Sequence, residues 1–81
     1  MVKTLEERIY AVLGSVFEVA SHELGPDLSP ETVAGWDSLK HLDLTLALEE
    51  EFGVSFTVGE ISSMQSASAI VTVVRARTNA A

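Results

Sequence analysis

Ser38 sits in the run Gly35-Trp36-Asp37-Ser38-Leu39, with Asp37 before it and His41 a few residues on. Hydroxyl, carboxylate and imidazole are the residue types of a hydrolytic triad. A triad needs those groups in one relay, with an oxyanion hole beside the nucleophile. Here all three crowd the start of one helical segment, with no G-x-S-x-G elbow and no glycine-rich donor loop. The only other histidine is His22, and no D-x-D-x-D-G loop is present, so no motif for a metal site stands out. Two other roles suit the spacing better. Asp37 or Ser38 can simply cap the helix, which needs no further chemistry. A helix start also presents free N–H groups and the positive dipole end, so it favours a phosphate, and a serine hydroxyl there can carry a phosphodiester.

The elements around Ser38 read as helices. Thr4-Leu5-Glu6-Glu7 fits a capping box. Leu5, Ile9, Val12, Leu13, Val16, Phe17 and Ala20 continue at helical spacing. They predict a first amphipathic helix of about sixteen residues, or about 24 Å, with Gly25-Pro26 ending whatever remains of it. Residues 21–37 form a long connection with both prolines and two of the five glycines. Leu28, Val33 and Trp36 punctuate it, which predicts a loop lying against the core. Within it, Ser29-Pro30-Glu31-Thr32 suits a single helical turn. Loops this long in small domains tend to be functional.

A second helix is predicted from Ser38 to Phe52, stopped by Gly53. Thr57-Val58-Gly59-Glu60 is another capping box, opening a short segment before Ser62-Ser63. Ser66 can cap a last helix bearing Ala67, Ile70, Val71, Val73 and Val74. That segment is rich in β-branched residues, yet a lone strand would lack a partner, so helix is expected. Arg75 and Arg77 suit its negative pole. The expected fold is all-α: three main helices and one short helix, with the long loop between the first and second, in a single domain over residues 1–81. The early capping box and the short tail suggest a self-contained unit.

The second helix carries two apolar stripes. At about 100° per residue, Leu39, Leu42 and Leu46 cluster within about 60°, beside Ser38. Leu44, Leu48 and Phe52 form a second cluster roughly opposite. A surface helix in a small bundle needs one such stripe. Leu44, Leu48 and Phe52 are therefore expected to face the core, and Leu39, Leu42 and Leu46 to stay at least partly exposed. Asp43, Glu49, Glu50 and Glu51 supply an acidic setting. An exposed apolar strip rimmed by carboxylates suits a basic, groove-bearing partner. The plainer reading is that the loop of residues 21–37 covers the second stripe and that the acids are a solvated helix face.

Composition narrows the classes further. The 81 residues carry a net charge of −7, with twelve acidic and five basic side chains. That balance opposes nucleic-acid binding, which depends on Lys and Arg neutralising phosphates. It also favours a soluble monomer, because like copies repel. There is no cysteine, so any thiol must come from an added group, and a reducing compartment fits. Met1 to Arg8 mix charges, and the apolar run from Ile70 to Val74 is far too short for a bilayer. No membrane association and a cytoplasmic location are expected.

Asp37-Ser38-Leu39 at the head of an acidic helix, with Leu46-Ala47-Leu48-Glu49-Glu50-Glu51-Phe52-Gly53-Val54 at its end, resembles the acyl carrier protein family over nearly the whole chain. The resemblance implies a 4'-phosphopantetheine arm on Ser38, installed from coenzyme A by a phosphopantetheinyl transferase that binds Mg²⁺, with Asp37 assisting. It implies a carrier and not an enzyme: acyl or aminoacyl groups held as thioesters, loaded by a ligase and passed to a downstream synthase or transferase. Leu39, Leu42, Asp43, Leu46, Glu49 and Glu50 match positions that carriers present to partners. His41 becomes a helix-surface residue or a contact for the arm. A short acyl chain would tuck among Leu44, Leu48, Phe56, Ile61 and Ile70. Lys40 stands where fatty-acid carriers show an acidic residue, and Trp36 where they show a small one. The stretch from Phe56 to Ile61 is also shorter. These departures point to a free-standing carrier of a specialised pathway (polyketide, fatty-acid-like, aminoacyl or cell-surface biosynthesis). The competing reading is an arm-free helical module docking through Leu39, Leu42 and Leu46.

Overall fold

The computed structural model describes residues 4–78 apart from Leu24, Pro26 and the side chain of Ser21. Four α-helices and one 3₁₀ turn make up the fold, and no strand occurs among the described residues. Helix α1 spans Leu5–Phe17 and opens with the expected box: Thr4 Oγ1 accepts from the Glu7 N–H, and Glu7 accepts from the Thr4 N–H. Its 13 residues are fewer than the apolar spacing predicts. The cause is Glu18, which takes the left-handed conformation at φ 56°, while the Val19 N–H returns to the Gly14 carbonyl. Val19 and Ala20 therefore leave the helical path, and the chain makes a 3₁₀ turn at Ser21–Glu23.

The connection that follows is pinned down. The Ser29 carbonyl accepts from the Thr32 and Val33 N–H groups, closing the single turn foreseen at Pro30. The Ala67 N–H donates to the Leu28 carbonyl, and Val33 and Trp36 are buried. Trp36 packs on Phe17 of α1, with ring centroids 4.8 Å apart.

Helix α2 spans Ser38–Phe52 and ends at Gly53, whose φ of 65° supplies the left-handed stop. Helix α3, Val58–Ser63, is opened by its own capping box between Thr57 and Glu60. Helix α4, Ala67–Thr78, starts where Ser66 Oγ accepts from the Ala69 N–H. Its β-branched residues stay helical because burying Ile70, Val71 and Val74 outweighs a weak local preference.

The core joins Ile9 and Leu13 of α1, Leu44 and Leu48 of α2, Met64, and Ala67, Ile70, Val71 and Val74 of α4. Helices α1 and α2 run antiparallel: Arg8 pairs with Glu51 at one end, and Lys40 lies near Val16 at the other. The Arg8 guanidinium also sits 4.4 Å from the Phe52 ring centroid. Arg75 joins α4 to Glu6 on α1. The Glu6 carboxyl is held below its ordinary value by its own backbone N–H at the helix start and by Arg75. Helix α3 differs from the rest in having no fully buried residue. Arg77 of α4 grips it through Glu60 at 2.6–3.1 Å.

Candidate functional site

The start of α2 is built by the residues before it. Gly35 adopts φ 87°, a conformation that side chains disfavour, and its carbonyl accepts from the Asp37 N–H at 2.9 Å. That turn brings the chain out of the buried Trp36 and into the helix. Asp37 is the N-cap: its Oδ1 accepts from the Lys40 N–H at 2.9 Å. Ser38 is thereby released from capping. It is the first residue of the helix and exposed, and its hydroxyl makes no hydrogen bond to another described residue.

Beside Ser38 opens a cleft of about 460 Å³. The loop supplies Pro30 and Trp36, α2 supplies Ser38, His41 and Leu42, and Ile61, Ser62 and Gln65 form the far wall. The residues expected to surround a tucked chain are placed differently. Leu44, Leu48, Phe56 and Ile70 are packed in the core, and only Ile61 reaches the cleft.

His41 also lines this cleft, and both of its ring nitrogens are engaged. Trp36 Nε1–H donates to Nδ1 at 3.0 Å, and Nε2 lies 2.7 Å from the Ile61 carbonyl. An indole N–H can only donate and a carbonyl can only accept, so the partners fix the neutral Nε2–H tautomer. Neither nitrogen is turned to Ser38 as a base. Asp37 is committed at Oδ1 to the backbone of Lys40. Asp37, Ser38 and His41 are therefore neighbours without being a relay. His41, expected at the helix surface or against the arm, is half-buried in the cleft wall and bridges the loop, α2 and α3. Trp36 and His41 are each visible in the sequence, but pairing them requires the path of the loop.

The outer face of α2 is as the two-stripe pattern predicts. Leu39, Leu42 and Leu46 are 71%, 52% and 58% exposed, and Leu44 and Leu48 are fully buried. The loop does not cover the outer stripe. Asp43 and Glu50 are exposed along it. Glu49 is in line with Leu42 and Leu46 but half-buried, and its Oε2 accepts from the Phe56 N–H at 2.8 Å. It thus holds the segment after α2 as well as facing the rim. Glu51 lies on the other side, paired with Arg8. Lys40 too points away from the leucines, with Nζ 3.4 Å from the Val16 carbonyl at the negative end of α1. Its positive charge leaves the acidic rim intact.

A family model described as the phosphopantetheine attachment site matches residues 7–74. The chain belongs to this family. No curated protein matches it. Membership in the family makes the chain a carrier protein that bears 4'-phosphopantetheine covalently on a serine, and it sets aside the arm-free module. The local geometry fits such a group: an exposed, unbonded hydroxyl stands at a helix N-terminus at the mouth of a cleft. Among the described residues, no helix is long and apolar enough to cross a membrane, and no group of acidic and histidine side chains is arranged to hold a metal ion.

Proposed function

We propose that Ser38 is the serine that carries the arm, and that the outer face of α2 is what partner enzymes grip. The observation that carries this reading is the release of the Ser38 hydroxyl from capping by Asp37, at the first position of a 15-residue helix. Among the other serines of the matched span whose side chains are described, none opens an α-helix with an unbonded hydroxyl behind a capping neighbour. Ser29, Ser63 and Ser66 use their hydroxyls within local turns and caps. Ser15 lies mid-helix in α1.

In the transfer step, Ser38 Oγ forms a bond to the phosphorus of coenzyme A that bears the pantetheine. The pyrophosphate P–O bond breaks, adenosine 3',5'-bisphosphate leaves, and the hydroxyl proton passes to the transferase side. His41 is unsuited to take that proton, because both its nitrogens are engaged. Asp37 Oδ2 makes no hydrogen bond to a described residue and is free for a divalent cation brought by the transferase. The attached group supplies a terminal thiol that holds an acyl or aminoacyl unit as a thioester. Leu39, Leu42 and Leu46, rimmed by Asp43, Glu49 and Glu50, form the surface for the transferase, a loading ligase and a downstream synthase or transferase. The setting is cytoplasmic and the pathway a specialised one, with Trp36 and its bond to His41 marking the departure from fatty-acid carriers.

Incubation with coenzyme A, Mg²⁺ and a broad-specificity phosphopantetheinyl transferase tests the reading. The intact mass should rise by one phosphopantetheine, and fragmentation should place it on Ser38. Addition at a different serine, or none with several transferases, overturns it.

A further inference from the structure

The cleft beside Ser38 stops at a wall between α2 and α3, and His41 holds that wall shut. Its Nε2 reaches from α2 to the Ile61 carbonyl in the last turn of α3, at 2.7 Å. The carbonyl lies at a helix end, where acceptors lack partners within the helix, and it also receives the Met64 N–H at 3.3 Å. From the other side the Trp36 indole N–H donates to Nδ1, and Trp36 is itself seated on Phe17 of α1. The ring is therefore fixed at both nitrogens across the seam. Ile61 stands at the same place, lining the cleft and packing against the core.

Behind the wall the apolar space is already taken. Leu44, Leu48, Met64 and Ile70 are fully buried, and none of them lines the cleft. Packing alone would hold the wall weakly. Helix α3 has six residues and none fully buried, so little apolar surface fixes it. Met64 is a side chain that adapts readily to a new neighbour. Polar ties make up the difference: Arg77 joins α3 to α4 through Glu60, and His41 joins it to α2 on the side of Ser38. The His41 tie is the one that an acyl chain coming from Ser38 would have to break.

We propose that His41, by tying α2 to Ile61, bars acyl chains from the core and so selects short or polar cargo, presented at the surface. Aminoacyl and hydroxyacyl units belong to that class. The proposal rests on Ser38 as the attachment point. A carrier that takes a chain inside gains burial with every methylene, about fourfold each in an equilibrium constant. Here the gain is withheld, and a long alkyl chain on the arm stays in water. The cleft offers groups that suit polar cargo instead. The Ser62 hydroxyl and Gln65 Oε1 line it, are exposed and make no hydrogen bond to a described residue.

Acetyl-, hexanoyl- and octanoyl-coenzyme A, each with Mg²⁺ and a broad-specificity transferase, load arm and cargo together. Fragmentation of the product reports the Ser38 reading, whereas urea unfolding and core methyl NMR signals report this one, so either can fail alone. From acetyl to octanoyl, the unfolding equilibrium constant of wild type should change less than about twofold, where a buried chain would lower it at least about tenfold. The methyl signals of Leu44, Leu48 and Ile70 should keep their positions across the series. In His41→Ala the seam opens, and the octanoyl form should unfold at least about tenfold less readily than the acetyl form. His41→Leu, which also lacks the donor, takes its place if that variant does not fold. His41→Gln keeps an N–H donor and should follow wild type. On the unmodified chain, nitrogen shifts of the neutral His41 ring should place its proton on Nε2. Stability that climbs with chain length in wild type, a flat series in the variant without a donor, or a ring proton on Nδ1 overturns the proposal.

Discussion

The two faces of α2 each carry leucines at helical spacing, and those leucines have opposite fates. Leu44 and Leu48 on the inner face are fully buried against α1 and α4. Leu39, Leu42 and Leu46 on the outer face are more than half exposed, although leucine is no less apolar there. The difference lies in the neighbours. The inner leucines meet Ile9, Leu13, Ile70 and Val74, and the outer ones run beside Asp43, Glu50 and Ser38. Hydrophobicity thus stabilises the fold on one side and is left available for binding on the other.

Variants on the two faces should therefore separate stability from use. The largest effect is expected from Ser38→Ala: no mass gain with any transferase, and an unfolding free energy from urea titration changed by less than about 0.5 kcal/mol. A large loss of stability in that variant would merge the two faces. Leu48→Ala should reverse the pattern. It should lower unfolding free energy by about 2–5 kcal/mol, a large share of the total for a domain of this size, as measured by urea unfolding. Leu42→Asp should leave the unfolding free energy within about 0.5 kcal/mol of wild type and lower kcat/KM for arm transfer by about 10–100-fold. An unchanged transfer rate would mean that the outer leucines serve other partners or none. The smallest effect belongs to Glu50→Lys, with transfer slowed less than about fivefold at low ionic strength. That deficit should fade as salt is raised, and a salt-independent one would remove the rim from the docking surface.

Much of this contrast was legible because it is local. Caps at Thr4, Thr57 and Ser66 formed as their side chains dictate, and α2 stops at Gly53 because glycine takes a left-handed backbone readily. The same stop closes α1 at Glu18, where no glycine announces it, so the helix was expected to run longer. The burial of Met64 and the bond from the Phe56 N–H to Glu49 depend on how separate segments fold over one another, which no periodicity records. At the site, Ser38, Asp37 and the leucine stripe could be read from spacing. The engagement of both His41 nitrogens could not, because their partners lie five residues back and twenty residues on.

The arrangement of the cations has a further consequence. Arg8 and Arg75 sit where α1 begins and α2 ends, each already matched by a glutamate. Glu18, Glu23, Asp27, Glu31 and Asp37, which have no ion-pair partner among the described residues, lie toward the opposite end, where α1 finishes and α2 starts. The end that bears Ser38 thus carries carboxylates that no arginine offsets, with Lys40 among them, on a chain of net charge −7. In the field of a basic enzyme surface such a body is drawn in before it makes contact. The pull weakens as salt is added, so the rate of encounter is the quantity that this charge sets.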